Sequence, residues 1–217
     1  MPRQNRVTPF GCLIPSSSRG LYMGNRGILH DDQGNLTAKR WAHPNWVACR
    51  TEFKGIRQPI NAPGSYTQLF FLDEATALAA GHRPCGYCRR DDFVRFREAW
   101  LHSNPQADLD DTATMGVIDR IIHAERVTRN RQKVTYAEVL DNLPDGVLVT
   151  LPEKPQDAWL VWQGTLHLWS PSGYLDRLTQ PRNCTVSVLT PRSIVRAITA
   201  GYVPQVALTD VIPPCPC

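Results

Sequence analysis

The chain has 217 residues, 42% of them hydrophobic and 20% charged, with a formal net charge of +4. This is a globular rather than a disordered mixture, with enough chain for one large core or two small ones. No apolar run nears the roughly 20 residues that cross a bilayer, and the basic N-terminus MPRQNRVTPFGC lacks the apolar stretch of a signal peptide; no membrane partner and a cytoplasmic location are the expectations.

Charge is unevenly shared. Residues 1–100 carry 14 Lys and Arg against 8 Asp and Glu, whereas the remainder carries 10 against 12. A basic first half fits phosphate binding, although a solvated basic surface gives the same count. Two units with different partners are expected: residues 1–102 and 113–210, followed by a loose tail at 211–217.

Residues 1–40 are rich in Gly, Ser, Asn and Arg, and SSSRGLYMGNRG reads as loop with one short strand. WVACRTEF and YTQLFFL have strand-like aromatic and β-branched content, and KGIRQPINAPGS between them carries turn residues, so the two form a hairpin with a long connection. In LDEATALAAGHRPC, Asp73 caps a short alanine- and leucine-rich helix that Gly81 ends in the left-handed conformation. A second helix starts near Asp91, and its stripe of Phe93, Phe96 and Trp100 reads as core. SNPQADLDD is a linker.

A third helix spans about 113–126, with Met115, Ile118, Ile121 and Ile122 on one face. Short strands follow: GVLVTL, a hairpin in AWLVWQGTLHLWS turning at Gln163-Gly164, and TVSVLT. Thr190 is an N-cap, with Pro191 opening a helix that ends at Gly201. The expected fold class is α+β, a small zinc-binding module followed by a mixed domain of short antiparallel strands and helices.

Seven cysteines make an odd set, unlike a short secreted disulfide framework. Cys85 and Cys88 are two residues apart, so one turn can aim both sulfurs at a single ion, and Cys49 supplies a third from an upstream strand. Thiolates and imidazoles suit zinc, which favours four ligands in a tetrahedron. Cys12, Cys184, Cys215 and Cys217 read as ordinary thiols.

FFLDEATALAAGHRPCGYC resembles the second half of the metal-binding domain of the Ada DNA-repair proteins. There, an aromatic strand leads through an alanine-rich helix to an Arg-Pro-Cys-x-x-Cys knuckle. Gly81, Arg83, Pro84, Cys85 and Cys88 fall on that pattern, and Cys49-Arg50 is similar to the Cys-Arg that opens it; the likeness covers residues 41–90. His82 replaces an aromatic residue of the family, and Phe53 stands where the family has a second cysteine. The resemblance implies Zn2+ held by Cys49, Cys85, Cys88 and a fourth ligand. His43 is the first choice, since related modules attached to bacterial nucleases use histidine with a single upstream cysteine; His30, Cys12, His82 and water are the alternatives.

In the Ada family the first cysteine takes a methyl group from alkylated DNA phosphate, driven by the excess charge of four thiolates. Losing one thiolate dampens that reactivity, so Cys49 reads as a structural ligand first and an alkyl acceptor second. Arg50, Lys54, Arg57, Arg89 and Arg90 cluster around the ligands and are expected to contact DNA backbone phosphates. The leading expectation is an accessory DNA-associated protein; the others are a nucleic-acid-processing enzyme, either alkyl acceptor or nuclease-like hydrolase, and a zinc-stabilised protein-interaction module. His123 and Glu125 are an ordinary pair on one helix, and Trp159, Trp162, Trp169 and Tyr174 read as β-sheet core.

Overall fold

The computed structural model describes residues 2–55, 60–62, 64–105 and 113–208. Its class is α+β: two six-stranded sheets and four α-helices among these residues. The first sheet comprises β1 (Gln4–Val7), β2 (Leu13–Pro15), β3 (Tyr22–Asn25), β4 (Val47–Arg50), β5 (Leu69–Phe71) and β6 (Arg83–Pro84), in the order β2-β1-β5-β3-β4-β6. β4 and β5 are therefore not a hairpin. The single short strand expected near residue 22 lies between them and pairs antiparallel with both.

The second sheet is wholly antiparallel. It runs β11-β10-β9-β8-β12-β7, from β7 (Tyr136–Val139), β8 (Leu148–Leu151), β9 (Lys154–Trp162), β10 (Thr165–Ser170), β11 (Gly173–Thr179) and β12 (Thr185–Val188). The β9–β10 turn falls at Gln163-Gly164, both at positive φ (48° and 70°), which suits the twist of a two-residue hairpin. Trp159 is buried and Trp162, Trp169 and Tyr174 pack half-buried against the core, as expected of them. No helix among the described residues is long and apolar enough to cross a membrane.

Helix α1 (Glu74–Ala79) opens on Asp73, whose carboxylate accepts from the Thr76 N–H at 2.8 Å. Every residue of this helix is buried. Ala77 and Ala80 pack with Val7, Leu69 and Phe71 of the first sheet. Ala75 and Ala79 pack with Leu148, Leu160 and Leu189 of the second, and Leu78 joins the largest core cluster. Gly81 (φ 81°) ends the helix, and a side chain there would collide with Arg126 as well as strain the backbone.

Helix α2 (Arg90–Ser103) inserts Phe96 and Trp100 into the same cluster as Ile118 and Ile122 of α3 (Met115–Arg126). Helix α4 (Arg192–Thr199) starts from Pro191, not from a Thr190 cap, because the Thr190 hydroxyl accepts from the Leu148 N–H of β8 instead. Glu125 takes over that duty: its carboxylate accepts from the Ser193 N–H at 2.9 Å and from the Ser193 hydroxyl. The residue paired in sequence with His123 is thus committed to α4. The expected linker and tail lie partly or wholly outside the described residues.

Both ends of α1 meet buried charge of the sign its dipole favours. At the N-terminus, Asp73 also accepts from the Tyr174 hydroxyl and Ala207 N–H, and Glu74 accepts from Arg89, the Tyr202 hydroxyl and the Gln205 N–H. At the C-terminus, Lys133 donates to the Ala79 carbonyl and Arg126 to the Gly81 carbonyl at 2.6 Å. Burial, then Arg26 and Arg126, push Lys133 down to about 7. Arg26 and Arg126 lie over the Trp46 ring at 4.0 and 3.6 Å, and Arg26 donates to buried His82 at 3.1 Å. His82, placed where the Ada pattern has an aromatic ring, still packs as one against Trp46 and Phe71.

Two outcomes follow from these buried charges. Arg83 and Asp119 form a bidentate pair at 2.9 and 2.8 Å, with Asp119 1% exposed. Asp119→Ala strands the Arg83 cation and is expected to cost about 3–5 kcal/mol in urea unfolding. His123 is pushed down from 6.5 to about 4 by burial and then by Arg126. The unfolded chain takes up a proton in this range that the folded chain refuses. The His123 contribution is therefore complete above about pH 6.5 and is lost as pH falls toward about 4. The decline in unfolding midpoint across that window should be shallower in His123→Phe.

Candidate metal centre

β4 pairs in parallel with β6, with Val47 opposite Arg83 and Ala48 opposite Pro84. The next residue on each strand is a cysteine, and the Cys85 N–H bonds the Ala48 carbonyl at 3.0 Å. This pairing sets Cys49 beside Cys85. The turn Cys85-Gly86-Tyr87-Cys88 then curls back, closed by the Arg89 N–H on the Cys85 carbonyl at 3.1 Å.

The Sγ atoms of Cys49, Cys85 and Cys88 all lie within 4.8 Å of one another. Metal–thiolate bonds of about 2.3 Å in a tetrahedron place sulfurs roughly 3.8 Å apart, so three thiolates can close on one ion with little movement. Backbone groups already face the sulfurs: the Arg50 N–H points at Cys88 from 3.3 Å and the Tyr87 N–H at Cys85 from 3.5 Å. The three thiols compete for charge. Hydrogen bonds from Cys49 and then Cys88 pull Cys85 down to about 2, whereas Cys49 is pushed up by donating to Cys85 and Cys88 and by burial. A cation among them favours the thiolate at all three positions.

The cluster opens on a cavity of about 340 Å³ whose wall includes Met23, Phe53, Lys54, Tyr66 and Tyr87. Phe53, four residues after Cys49, meets the Tyr87 ring edge-on at 5.2 Å, and the Lys54 ammonium lies 5.5 Å from both rings. Burial first, and then the cysteine charges, push Tyr66 up to about 12. Nothing in its sequence context marked Tyr66, because its approach depends on the loop before β5 rather than on spacing.

The structure gathers three of the four expected ligands. His43 is not in the cluster: its backbone carbonyl accepts from the Trp46 indole, and its buried Nδ1 has no partner. His30 is bound elsewhere, its Nδ1 2.6 Å from the Thr67 hydroxyl, and His82 is held by Arg26. No histidine lines the cavity. Among the basic residues, Arg50, Lys54 and Arg90 are exposed near the knuckle. Arg89 is not, contrary to expectation: it is 2% exposed and paired with Glu74 at 2.7 Å and Asp92 at 2.8 Å. A buried guanidinium neutralised by two carboxylates presents neither exposed surface nor net charge to a phosphate. Arg57 lies outside the described residues.

Elemental analysis should find about one metal ion per chain, lost in Cys49→Ser and in Cys85→Ser. His43→Ala and His30→Ala should keep it, because neither ring reaches the three sulfurs. Comparisons with protein-family models, with curated proteins and with solved structures find no match to this chain.

Proposed function

We propose that the chain is a zinc-binding protein that associates with DNA through backbone phosphates, as an accessory rather than a catalytic component. The observation that carries this reading is the three-sulfur cluster, opening on a cavity rimmed by Arg50 and Lys54. Three thiolates favour zinc among the common divalent ions. The resemblance of residues 41–90 to the Ada metal-binding domain supports the same ion. Zinc here pins β4 to the knuckle, and so holds the exposed Arg50, Lys54 and Arg90 near the centre; Arg57 belongs to the same basic set by sequence alone. Arginine forks suit phosphate oxygens, and nothing in this set reads base edges.

The open cavity favours a second reading. Structural zinc sites are closed by four protein ligands, whereas reactive ones keep a position for water or substrate. Cys49, Cys85 and Cys88 leave such a position facing Tyr66 and Phe53. A nucleic-acid hydrolase would use that position for water, whereas an alkyl acceptor at Cys49 rests on the Ada resemblance and not on the open position. Incubation with methylated DNA followed by mass analysis of Cys49 separates the acceptor from the rest, since only an acceptor gains a methyl group.

DNA affinity should fall steeply between 50 and 200 mM salt, with a log–log slope near −0.9 per phosphate contacted on duplex. Arg50→Ala with Lys54→Ala should lower affinity at every salt concentration and flatten the slope by about two contacts. Binding indistinguishable from zero at low salt overturns the reading.

A further inference from the structure

Side chains of register partners share one face of a sheet. In the first sheet Arg6 of β1 is opposite Phe70 of β5, Phe70 is opposite Met23 of β3, and Met23 is opposite Cys49 of β4. These four residues form one row across four adjacent strands, with an arginine at one end and a proposed metal ligand at the other. Three strand spacings of about 4.8 Å put the ends roughly 14 Å apart. The opposite face carries Val7, Leu69, Phe71 and Ala48 and is closed by the core.

The arginine end is a second cavity, of about 470 Å³. Arg3, Arg6 and Arg19 line it together with Ser16, Ser17 and Ser18, and among the described residues its lining contains no carboxylate. It shares Met23 and Thr51 with the cavity over the three sulfurs. Arg6 is 5% exposed, yet its Nε and Nη1 have no hydrogen-bond partner. Its contact is the Phe70 ring, 5.4 Å from the guanidinium carbon. Gly20 makes room for it, since a side chain there would come within 2.7 Å of Arg6 Nη1 and closer still to the Phe71 carbonyl. A buried guanidinium is normally paired with an anion. The other buried arginines bond carboxylates or carbonyls: Arg83 has Asp119, Arg89 has Glu74, and Arg26 and Arg126 reach backbone oxygens. Arg6 has neither.

We infer that this cavity binds the terminal phosphate of a nucleotide-sized ligand that lies along the row and reaches the metal centre. The inference rests on the nucleic-acid reading above and adds to it a strand end as the group recognised. Phosphate supplies acceptor oxygens for the unpartnered guanidinium N–H groups. The serine hydroxyls and Arg3 and Arg19 meet the remaining charge, and Phe70 offers a ring face on which a base stacks along the row.

Calorimetric titration of the zinc-loaded full chain tests this with a 5′-phosphorylated thymidine dinucleotide and with the same dinucleotide lacking that phosphate. The phosphorylated form should bind at least about ten-fold more tightly, a difference of the size one charge-assisted pairing supplies. Arg6→Gln should erase the preference. Because Arg6 is buried, the exposed pair Arg3→Gln with Arg19→Gln provides a second variant that should fold and should reduce the preference. Equal binding of the two dinucleotides overturns the inference, as does a preference untouched in both variants. Duplex binding separates the two readings: loss of the phosphate preference with duplex affinity intact removes the strand-end site alone, whereas absent duplex binding with an Arg6-dependent preference removes the broader reading alone.

Discussion

Helix α1 has two turns and no solvent-exposed side, and the rest of the molecule is arranged around that constraint. A helix buried all round has to be narrow enough for three separate clusters to reach it. Ala75, Ala77 and Ala79 meet that need where larger side chains would force the sheets apart. Its polar ends are the larger problem, since unpaired backbone groups at a buried terminus are costly. Asp73 satisfies the first turn, and with Glu74 it draws in Tyr174, Tyr202 and the backbone of residues 205 and 207. Lys133 and Arg126 do the same for the last carbonyls. Cations that look unpaired when only carboxylates are considered are thus accounted for by the helix C-terminus.

The candidate metal centre inherits its rigidity from this helix. The chain leaves α1 through Gly81 and enters the knuckle within four residues, with buried ion pairs on both sides of it. Arg83, just before Cys85, is fixed to α3 by Asp119, and Arg89, just after Cys88, is fixed to the start of α1 by Glu74. Buried pairs of this kind add little net stability over an apolar packing, but they tolerate few alternative positions. Their effect here is geometric: the two knuckle sulfurs are presented to Cys49 by backbone that is anchored at both ends.

What was legible in the sequence was local. The Cys-x-x-Cys spacing, the Asp73 cap, the Gly81 stop and the Gln163-Gly164 turn each act over a few residues, and each is found as read. Interactions between distant segments were not legible. The place of β3 between β4 and β5 is not legible because its partners are about 25 and 47 residues away, beyond any hairpin signal. β7 and β11 escaped notice for a similar reason, lacking clean alternation at the edges of the second sheet. Arg89 read as a phosphate contact because its neighbours Arg50 and Arg90 are basic. Its fate was decided by Glu74, on a different element. The alanine-rich run that carries much of the family resemblance has a packing cause of its own in this fold.

The first sheet has two unlike faces. One face is filled by Val7, Leu69, Phe71 and Ala48 and accounts for the sheet's share of the core. On the other face Phe70, Met23 and Cys49 are only half covered, and they stand in one row with Arg6. Apolar surface left in water contributes nothing to folding, and a polar substitute on a solvated face costs little. A buried cation beside a half-exposed ring, next to a half-exposed thioether and a sulfur cluster, is therefore not what packing alone selects. The stability of the sheet comes from one side, and the chemistry of the other side is free to answer to a ligand.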